Sequence, residues 1–319
     1  MPPLVQGQVL GVHILNPGEI DEAAKLLKTD ANRDEWVYVT VPLSLDDLSK
    51  KNEWQDAFNH ARQEKINPIV RLVSRFDTER NAWAIPTRAD IIAAFDFLNQ
   101  LDWPRSEKLI IAFNEPNHAS EWGGTINPAS YAEILDFTVN WAHTENNGYR
   151  VLPAAMDLAA PDGPDTWEAF HYLREMISSV PQVFDQIDYW NSHSYPNPAF
   201  SSPPTSDGQN SLRGFTYELA WLKEETDRDL SVFITETGWQ ENQRTRDRLD
   251  DYYAYAREHI WSDERVIAIT PFVLHGDPGP FSGFTFIDKR IIKYSQGNNG
   301  YQEKQRSTYH PGSLIHCHF

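Results

Sequence analysis

Eight short apolar stretches recur along the chain, and their spacing is the feature that most limits what it can fold into. Each is rich in Val, Ile, Leu and aromatic residues, and successive stretches start 27 to 45 residues apart. Such an interval holds one strand, one helix and two loops, so the pattern predicts strands that alternate with helices. The predicted strands are Val9–Leu15, Trp36–Val41, Pro68–Val73, Leu109–Phe113, Val151–Ala155, Ile187–Asn191, Val232–Thr235 and Val266–Phe272.

Several of the intervening segments carry the apolar periodicity of helices. Eight strands that are apolar on both faces and alternate with helices fit a closed parallel barrel better than an open sheet. An open doubly wound sheet is the alternative, but no Gly-x-Gly-x-x-Gly motif follows the first strand. We therefore predict an α/β protein with a single (β/α)8 barrel (TIM barrel). The predicted helices are Asp90–Leu101, Pro128–Thr144, Asp165–Ser178, Arg213–Glu225 and Arg246–Trp261.

The chain shows no internal division. Its 319 residues are enough for two domains at roughly 150 residues each, but α/β barrels often use this length for one. No repeat or linker separates two halves, so we predict one catalytic domain over residues 1–319. The sequence after Asp288 is polar and only weakly helical, which predicts a short or irregular eighth helix and a C-terminal tail, 290–319, laid over the barrel.

Charge excludes two classes of partner. The chain has 28 basic and 46 acidic residues, a net charge of −18, and this charge repels both nucleic acid and anionic lipid. A neutral substrate is unaffected. No apolar run approaches the roughly 18 residues of a membrane span. The start of the chain lacks a basic segment followed by an apolar core, so the sequence does not predict a signal peptide. The compartment therefore stays open at this point.

The single cysteine limits metal and redox chemistry. Cys317 alone cannot form an internal disulfide or a thiolate-rich metal site. It lies near His310, His316 and His318, a group that could suggest metal ligands. A terminal tail with no ligand role is the favoured interpretation, and we predict no metal and no cofactor.

Polar motifs follow three of the predicted strands at the end where barrel enzymes place their active sites. The fourth strand ends in the sequence FNEPN (113–117), the sixth in NSHSYP (191–196) and the seventh in ITETGW (234–239). Glu115 and Glu236 are thus expected to lie at the same end of the barrel. Carboxylates so close to apolar strands are costly to ionise without stabilising partners, which favours a functional role over two solvated loop residues.

These three motifs together resemble the retaining glycoside hydrolases of clan A, the (β/α)8-barrel group that includes cellulases, mannanases, xylosidases and β-1,3-glucanases. The resemblance spans roughly residues 9–290. It implies that Glu115 is the acid/base, that Glu236 is the nucleophile and that Asn114 binds the sugar 2-hydroxyl. It further implies that Tyr195 donates a hydrogen bond to Glu236, and it favours a secreted protein.

The implied mechanism needs two carboxyl groups roughly 5–5.5 Å apart. Glu236 is expected to form a glycosyl ester, and Glu115 is expected to be protonated at rest and to activate water in the second step. Arg71 and Arg75 are candidates to contact Glu236 or the substrate, with a structural ion pair as the alternative for either. His193 is expected to orient the hydrogen-bond network, and His13 is a further candidate; a structural histidine is the competing interpretation.

Aromatic side chains are expected to contact the apolar faces of sugar rings. Trp122 and Trp239 follow the two glutamates in the sequence and are the main candidates. Trp83 and Phe281 are further candidates, and Trp190 is expected in the core. The eighth strand lacks the Trp that usually floors the cleaving subsite in the clan, and Phe272, Phe281 or Phe284 could replace it.

The sequence thus predicts a monomeric enzyme that hydrolyses β-linked bonds of a neutral polysaccharide or oligosaccharide, with endo action mildly preferred. A non-catalytic carbohydrate-binding barrel is the first alternative, although both glutamates are intact. A barrel enzyme of another class is the second. It would need a glycine-rich phosphate loop or a strand-end Lys, and neither is found.

Overall fold

The computed structural model describes residues 9–29, 32–145 and 148–286, and within them it has seven α-helices and two parallel sheets. The helices are α1 (Ile20–Leu27), α2 (Lys51–Gln63), α3 (Arg88–Leu98), α4 (Pro128–Glu145), α5 (Ala169–Ser179), α6 (Gly214–Thr226) and α7 (Leu249–His259). The strands are β1 (Val9–Leu10), β2 (Val12–His13), β3 (Val37–Ser44), β4 (Ile66–Val73), β5 (Phe76–Asp77), β6 (Ala82–Trp83), β7 (Lys108–Ala112), β8 (Tyr149–Pro153), β9 (Trp190–His193), β10 (Val232–Glu236) and β11 (Val266–Ile269).

Each predicted strand has its counterpart in one of the two parallel sheets. One sheet has the order β2-β3-β4-β7-β8, and the other has the order β1-β11-β10-β9. All neighbours in both sheets are parallel. The carboxyl ends of the strands in each sheet therefore lie along one edge, where the loops that follow them can build a common site.

The chain passes from one sheet to the other at Gly11, between β1 and β2. The Gly11 amide donates to the carbonyl of Ile269 at 2.6 Å. A Cβ atom at this position would lie only 2.1 Å from the carbonyl oxygen of Tyr38, so no residue with a side chain fits here. On the far side, Asn191 of β9 donates to the carbonyl of Pro153 at the end of β8, at 3.1 Å.

The core has two parts. A small cluster between the sheets takes residues from strands of both: Tyr38, Ile69, Leu109, Ile111, Leu152, Phe233 and Ala268. The larger part packs the opposite strand faces against the apolar faces of the helices. Tyr131 of α4 shows how the helices are held, because its hydroxyl donates to Ala112 at 3.0 Å and accepts from Ala154 at 2.6 Å.

Some local structure departs from the predicted elements. Helix α5 begins at Ala169 rather than Asp165, because residues 165–167 pair with the loop after β7: Ala119 donates to Asp165 and Trp167 donates to Asn117. The antiparallel hairpin β5–β6 was not predicted. The predicted eighth helix and the tail 290–319 lie outside the described residues. Among the helices that the structure describes, none is both long and apolar enough to cross a membrane.

Candidate active site

Five strands deliver polar side chains to one place at their carboxyl ends. Glu236 ends β10, and Asn114 and Glu115 follow β7. The remaining members are Arg71 from β4, His13 from β2, His193 from the end of β9 and Tyr195 just after it. Hydrogen bonds and contacts shorter than 4 Å between polar atoms connect all seven of these residues. The residues that the strand-end argument predicted to lie together therefore do so in the structure; their catalytic and binding roles stay predictions.

Glu236 is a buried carboxylate surrounded by donors. Arg71 Nη1 donates to its Oε1 at 2.5 Å, and the Tyr195 hydroxyl donates to its Oε2 at 3.0 Å. Burial raises the pKa of Glu236, but the charges of His193 and Arg71 and the hydrogen bond from Arg71 outweigh burial and lower the pKa to about 2. Burial and the charge of Glu236 raise the pKa of Tyr195, so the phenol stays protonated as a donor. Glu236 is thus ionised at neutral pH.

Glu115 lies beside Glu236 and is hydrogen-bonded to His193. His193 Nδ1 and Glu115 Oε1 are 2.7 Å apart, and His193 Nδ1 is 3.8 Å from Glu236 Oε2. One oxygen of Glu115 and one of Glu236 lie within 4.8 Å of each other. Glu115 has a φ of 28° and Phe113 a φ of 73°, so the backbone turns sharply in the left-handed region as it leaves β7. This turn is part of how the carboxyl is presented.

The pKa values of the two histidines of the site shift in opposite directions. His13 is fully buried, and burial together with the charge of Arg71 lowers its pKa to about 3. It is therefore neutral at pH 7, and its Nδ1–H donates to the carbonyl of Thr235 at 3.3 Å, because a carbonyl can only accept. Burial lowers the pKa of His193, but the charge of Glu236 and the contact with Glu115 outweigh burial and raise it. His193 can therefore hold or return a proton next to Glu115.

Asn114 lies between Arg71 and a residue that the sequence analysis missed, Glu121. Arg71 Nη1 donates to Asn114 Oδ1 at 2.7 Å, and Asn114 Nδ2 donates to Glu121 Oε2 at 3.3 Å. Burial and the charge of Glu115 raise the pKa of Glu121 to about 7. Glu121 is in the same loop as Glu115, six residues further on, but no periodicity marks it in the sequence.

The prediction that Trp122 and Trp239 are platforms for sugar rings is wrong. Their side chains are buried, at 1% and 2% exposure. Trp122 packs edge-on against Phe113 and Tyr131, and Trp239 packs against Tyr253 and donates to the carbonyl of Ser202 at 2.7 Å. Both rings are core residues beneath the loops, with no face open to a sugar.

The other aromatic candidates have mixed positions. Trp190 is in the core as predicted. Phe272 is 7% exposed and packs edge-on against His13 and against Phe281, so it adjoins the site. Trp83 is half-buried on the β5–β6 hairpin. The role of Phe272 as the floor of a subsite stays a prediction.

Arg75 is separate from the two glutamates. It forms ion pairs with Asp90 at 2.6 Å and with Asp46 at 3.1 Å, and its side chain is 49% exposed. The structural ion pair is therefore the interpretation that its contacts favour. Arg71 is the arginine that reaches Glu236.

Glu115, His193 and Glu236 also have the spacing of a group of metal ligands, with one donor atom from each within 4.8 Å. The guanidinium of Arg71 already binds Glu236 Oε1 at 2.5 Å. A divalent cation would have to share this oxygen with a fixed positive charge, which is costly at such short distances. The donor set therefore fits proton transfer and carboxylate chemistry better than metal binding.

Comparison with known proteins points to one enzyme class. The family model described as glycosyl hydrolase catalytic core matches residues 72–282. Among solved structures, an endo-β-1,4-glucanase from Xanthomonas axonopodis pv. citri carrying a triple mutation is 15% identical. The match covers 89% of this chain and 96% of that one, with a TM-score of 0.57. A GH128 (subgroup II) endo-β-1,3-glucanase from Sorangium cellulosum is 14% identical, with coverage of 85% and 89% and a TM-score of 0.52.

A third solved structure, a glucosidase from Croceicoccus marinus, is 12% identical with a TM-score of 0.59. The match covers 84% of this chain and 59% of that one. No curated protein sequence matches this chain. At these identities the structural likeness shows a shared fold. Together with the family model, the matches confirm the resemblance to clan A glycoside hydrolases that the strand-end motifs indicate.

Proposed function

Because the chain belongs to the glycosyl hydrolase catalytic core family, we propose that it hydrolyses β-linked bonds of a neutral glycan with retention of anomeric configuration. The observation that carries this proposal is the pairing of two carboxyl groups. Oxygens of Glu115 and Glu236 lie within 4.8 Å, and Glu236 is held ionised by Arg71 and Tyr195. The family model shows a glycoside hydrolase, and this pairing supports a mechanism that uses two carboxyl groups.

The carboxyl separation favours retention over inversion. Inverting enzymes need roughly 6.5–9.5 Å between the two groups, to leave room for a water molecule, whereas retaining enzymes hold them roughly 5–5.5 Å apart. One oxygen of Glu115 and one of Glu236 lie within 4.8 Å of each other, a closest approach that supports the shorter, retaining spacing.

In the first step, a lone pair of the ionised Glu236 forms a bond to the anomeric carbon. The bond from that carbon to the glycosidic oxygen breaks, and this oxygen takes the proton of Glu115. In the second step, Glu115 accepts a proton from water while the water oxygen attacks the same carbon. The ester bond breaks, and Glu236 regains its charge.

Each neighbour of the two carboxylates has a role in this scheme. Arg71 and Tyr195 keep Glu236 ionised and oriented, which is what a nucleophile needs before attack. The 2.7 Å contact between His193 and Glu115 orients the acid/base carboxyl toward the bond to be cleaved. Asn114 is placed to donate to the sugar 2-hydroxyl, and His13 and Phe272 to line the cleaving subsite.

We also propose that the two sheets close into one (β/α)8 barrel and that the protein acts as a monomer. Gly11 joins the sheets on one side, and on the other Asp157 and His193 form a parallel bridge. The small core cluster, with residues from strands of both sheets, is what the filled interior of such a barrel requires.

The names of the similar structures guide the choice of substrate. They are an endo-β-1,4-glucanase, an endo-β-1,3-glucanase and a glucosidase. We therefore propose a β-glucan as the first substrate class to test, with endo action as the leading mode.

A panel of β-1,4- and β-1,3-glucans, mannan and xylan tests the proposal, with release of reducing sugar as the measurement. We expect turnover on at least one glycan and a loss of at least about 10³-fold in Glu236→Gln. Proton NMR of the first product should show the β-anomer. Incubation with an activated 2-deoxy-2-fluoro-β-glycoside should label Glu236, which peptide mass spectrometry detects.

If the wild-type protein and Glu236→Gln were equally inert on the panel while still binding an oligosaccharide, the non-catalytic binding interpretation would replace this one. An α-anomer as first product would overturn retention alone.

A further inference from the structure

We propose that Glu121 is a positioning residue, which fixes the side-chain amide of Asn114 beside the acid/base carboxyl so that one N–H stays free for the substrate. This inference rests on the proposed glycosidase function and adds a residue to its site. It stands on the placement of Asn114 between a donor and an acceptor.

The amide of Asn114 can satisfy both neighbours in only one orientation. Arg71 has no acceptor, so Asn114 Oδ1 must face its Nη1, which is 2.7 Å away. Asn114 Nδ2 then faces Glu121 Oε2 at 3.3 Å. A rotated amide would place its NH2 group against the guanidinium and its oxygen against the carboxyl. Since Nδ2 has two hydrogens and Glu121 takes one, the other is available to a sugar hydroxyl.

Glu121 is presented by a firmly held turn. It ends a short 3-10 helix, Ala119–Glu121, whose first amide donates to the carbonyl of Asp165 at 2.8 Å. The next residue, Trp122, is buried and donates to Ser130 at 3.3 Å. The backbone that carries Glu121 is therefore held in place near Asn114.

Fold stability does not explain a carboxyl at this place. Asn114 is the hydrogen-bond partner of the Glu121 carboxyl among the described residues. The charged and titratable groups that influence it are Glu115, Arg71 and His118. Burial and the charge of Glu115 raise its pKa to about 7. A group that is costly to bury next to a second acid points to a role in the site.

The expected effect falls on the transition state. A hydrogen bond from Asn114 to the 2-hydroxyl strengthens as the oxocarbenium-like state forms. Loss of its orientation should therefore lower kcat more than it changes KM. The effect should vanish with a substrate that has no 2-hydroxyl.

The experiment compares Glu121→Ala and Glu121→Gln with a matched control, Glu133→Ala, on an exposed position of helix α4. On the best aryl β-glycoside or glucan we expect Glu121→Ala to lower kcat about 10-fold or more, with KM changed less than about threefold. Glu121→Gln keeps an acceptor for Asn114 and should stay within about twofold of wild type below about pH 6. Above about pH 7 it should fall behind, because an ionised carboxylate forms the stronger hydrogen bond.

On an aryl 2-deoxy-β-glycoside, Glu121→Ala and wild type should be equal. The inference is overturned if Glu121→Ala behaves like Glu133→Ala on the ordinary substrate, or if its loss persists without the 2-hydroxyl. Either result would leave the proposed function standing as long as Glu236→Gln is inactive.

A crystal structure of Glu121→Ala tests the positioning without any turnover. We expect the Asn114 side chain to turn away or to take up more than one conformation. An Asn114 side chain unchanged in place and still bonded to Arg71 would overturn the inference, even if no glycan on the panel proved to be a substrate.

Discussion

Glu218 allows a prediction about stability whose size follows from its burial. It lies on helix α6, is fully buried and accepts a hydrogen bond from Ser192, the residue before His193. Burial raises its pKa from 4.5 to about 7. The folded protein therefore binds this proton more tightly than the unfolded chain does.

The direction of the pH dependence follows from the raised pKa. The stability that this proton contributes is fully present below about pH 4.5 and is lost as the pH rises through about 7. The difference between the two pKa values corresponds to about 3 kcal/mol of the free energy of unfolding. Glu218→Gln has no proton to lose, so it should match wild type within about 1 kcal/mol near pH 5 and exceed it by about 3 kcal/mol near pH 9.

Urea unfolding followed by tryptophan fluorescence at several pH values measures this difference. Glu133→Gln, on the exposed face of helix α4, controls for the general effect of removing one charge. A difference between Glu218→Gln and wild type that stays constant from pH 5 to 9 would refute the reasoning. It would mean that Glu218 is not protonated in the folded state at low pH.

Three further predictions concern the site and the core. Tyr195→Phe removes a hydrogen bond to an ionised carboxylate, worth about 1.5–3 kcal/mol, so kcat/KM should fall about 10- to 100-fold and the acidic limb of the pH–rate profile should move to higher pH. Glu115→Gln should lower kcat by about 10² to 10⁴ on glycans, but far less on aryl glycosides whose leaving group needs no proton; equal losses on both would contradict its role as acid. Trp122→Ala should cost about 3–5 kcal/mol of the free energy of unfolding with the product profile unchanged, and an altered profile would contradict its placement in the core.

The two glutamates could be predicted because their positions depend on strand ends. A parallel strand places whatever follows it at one edge of the sheet, so apolar runs that end in NEP and TETGW were enough to place Glu115 and Glu236. Tyr195, His193 and Arg71 were predicted for the same reason, since each lies in or just after a strand.

Trp122 and Trp239 could not be placed in this way. Neighbours in sequence show which loop holds a ring, but not whether the loop turns that ring outward or folds over it. Trp122 is buried, and it packs edge-on against Phe113 and against Tyr131 of helix α4. Glu121 was missed because a short 3-10 turn leaves no pattern in the sequence. Its contact with Asn114 is a tertiary contact, which the sequence does not show.

Nη1 of Arg71 carries two hydrogens and donates to two acceptors, Glu236 Oε1 and Asn114 Oδ1. While Glu236 is ionised, the carboxylate is the stronger of the two acceptors. Once Glu236 becomes an ester it has no formal charge and accepts more weakly, so the hydrogen bond from Arg71 to Asn114 should strengthen. Polarising the amide oxygen makes the amide N–H groups better donors. The hydrogen bond from Asn114 to the bound sugar should therefore be stronger in the glycosyl ester than before Glu236 has reacted.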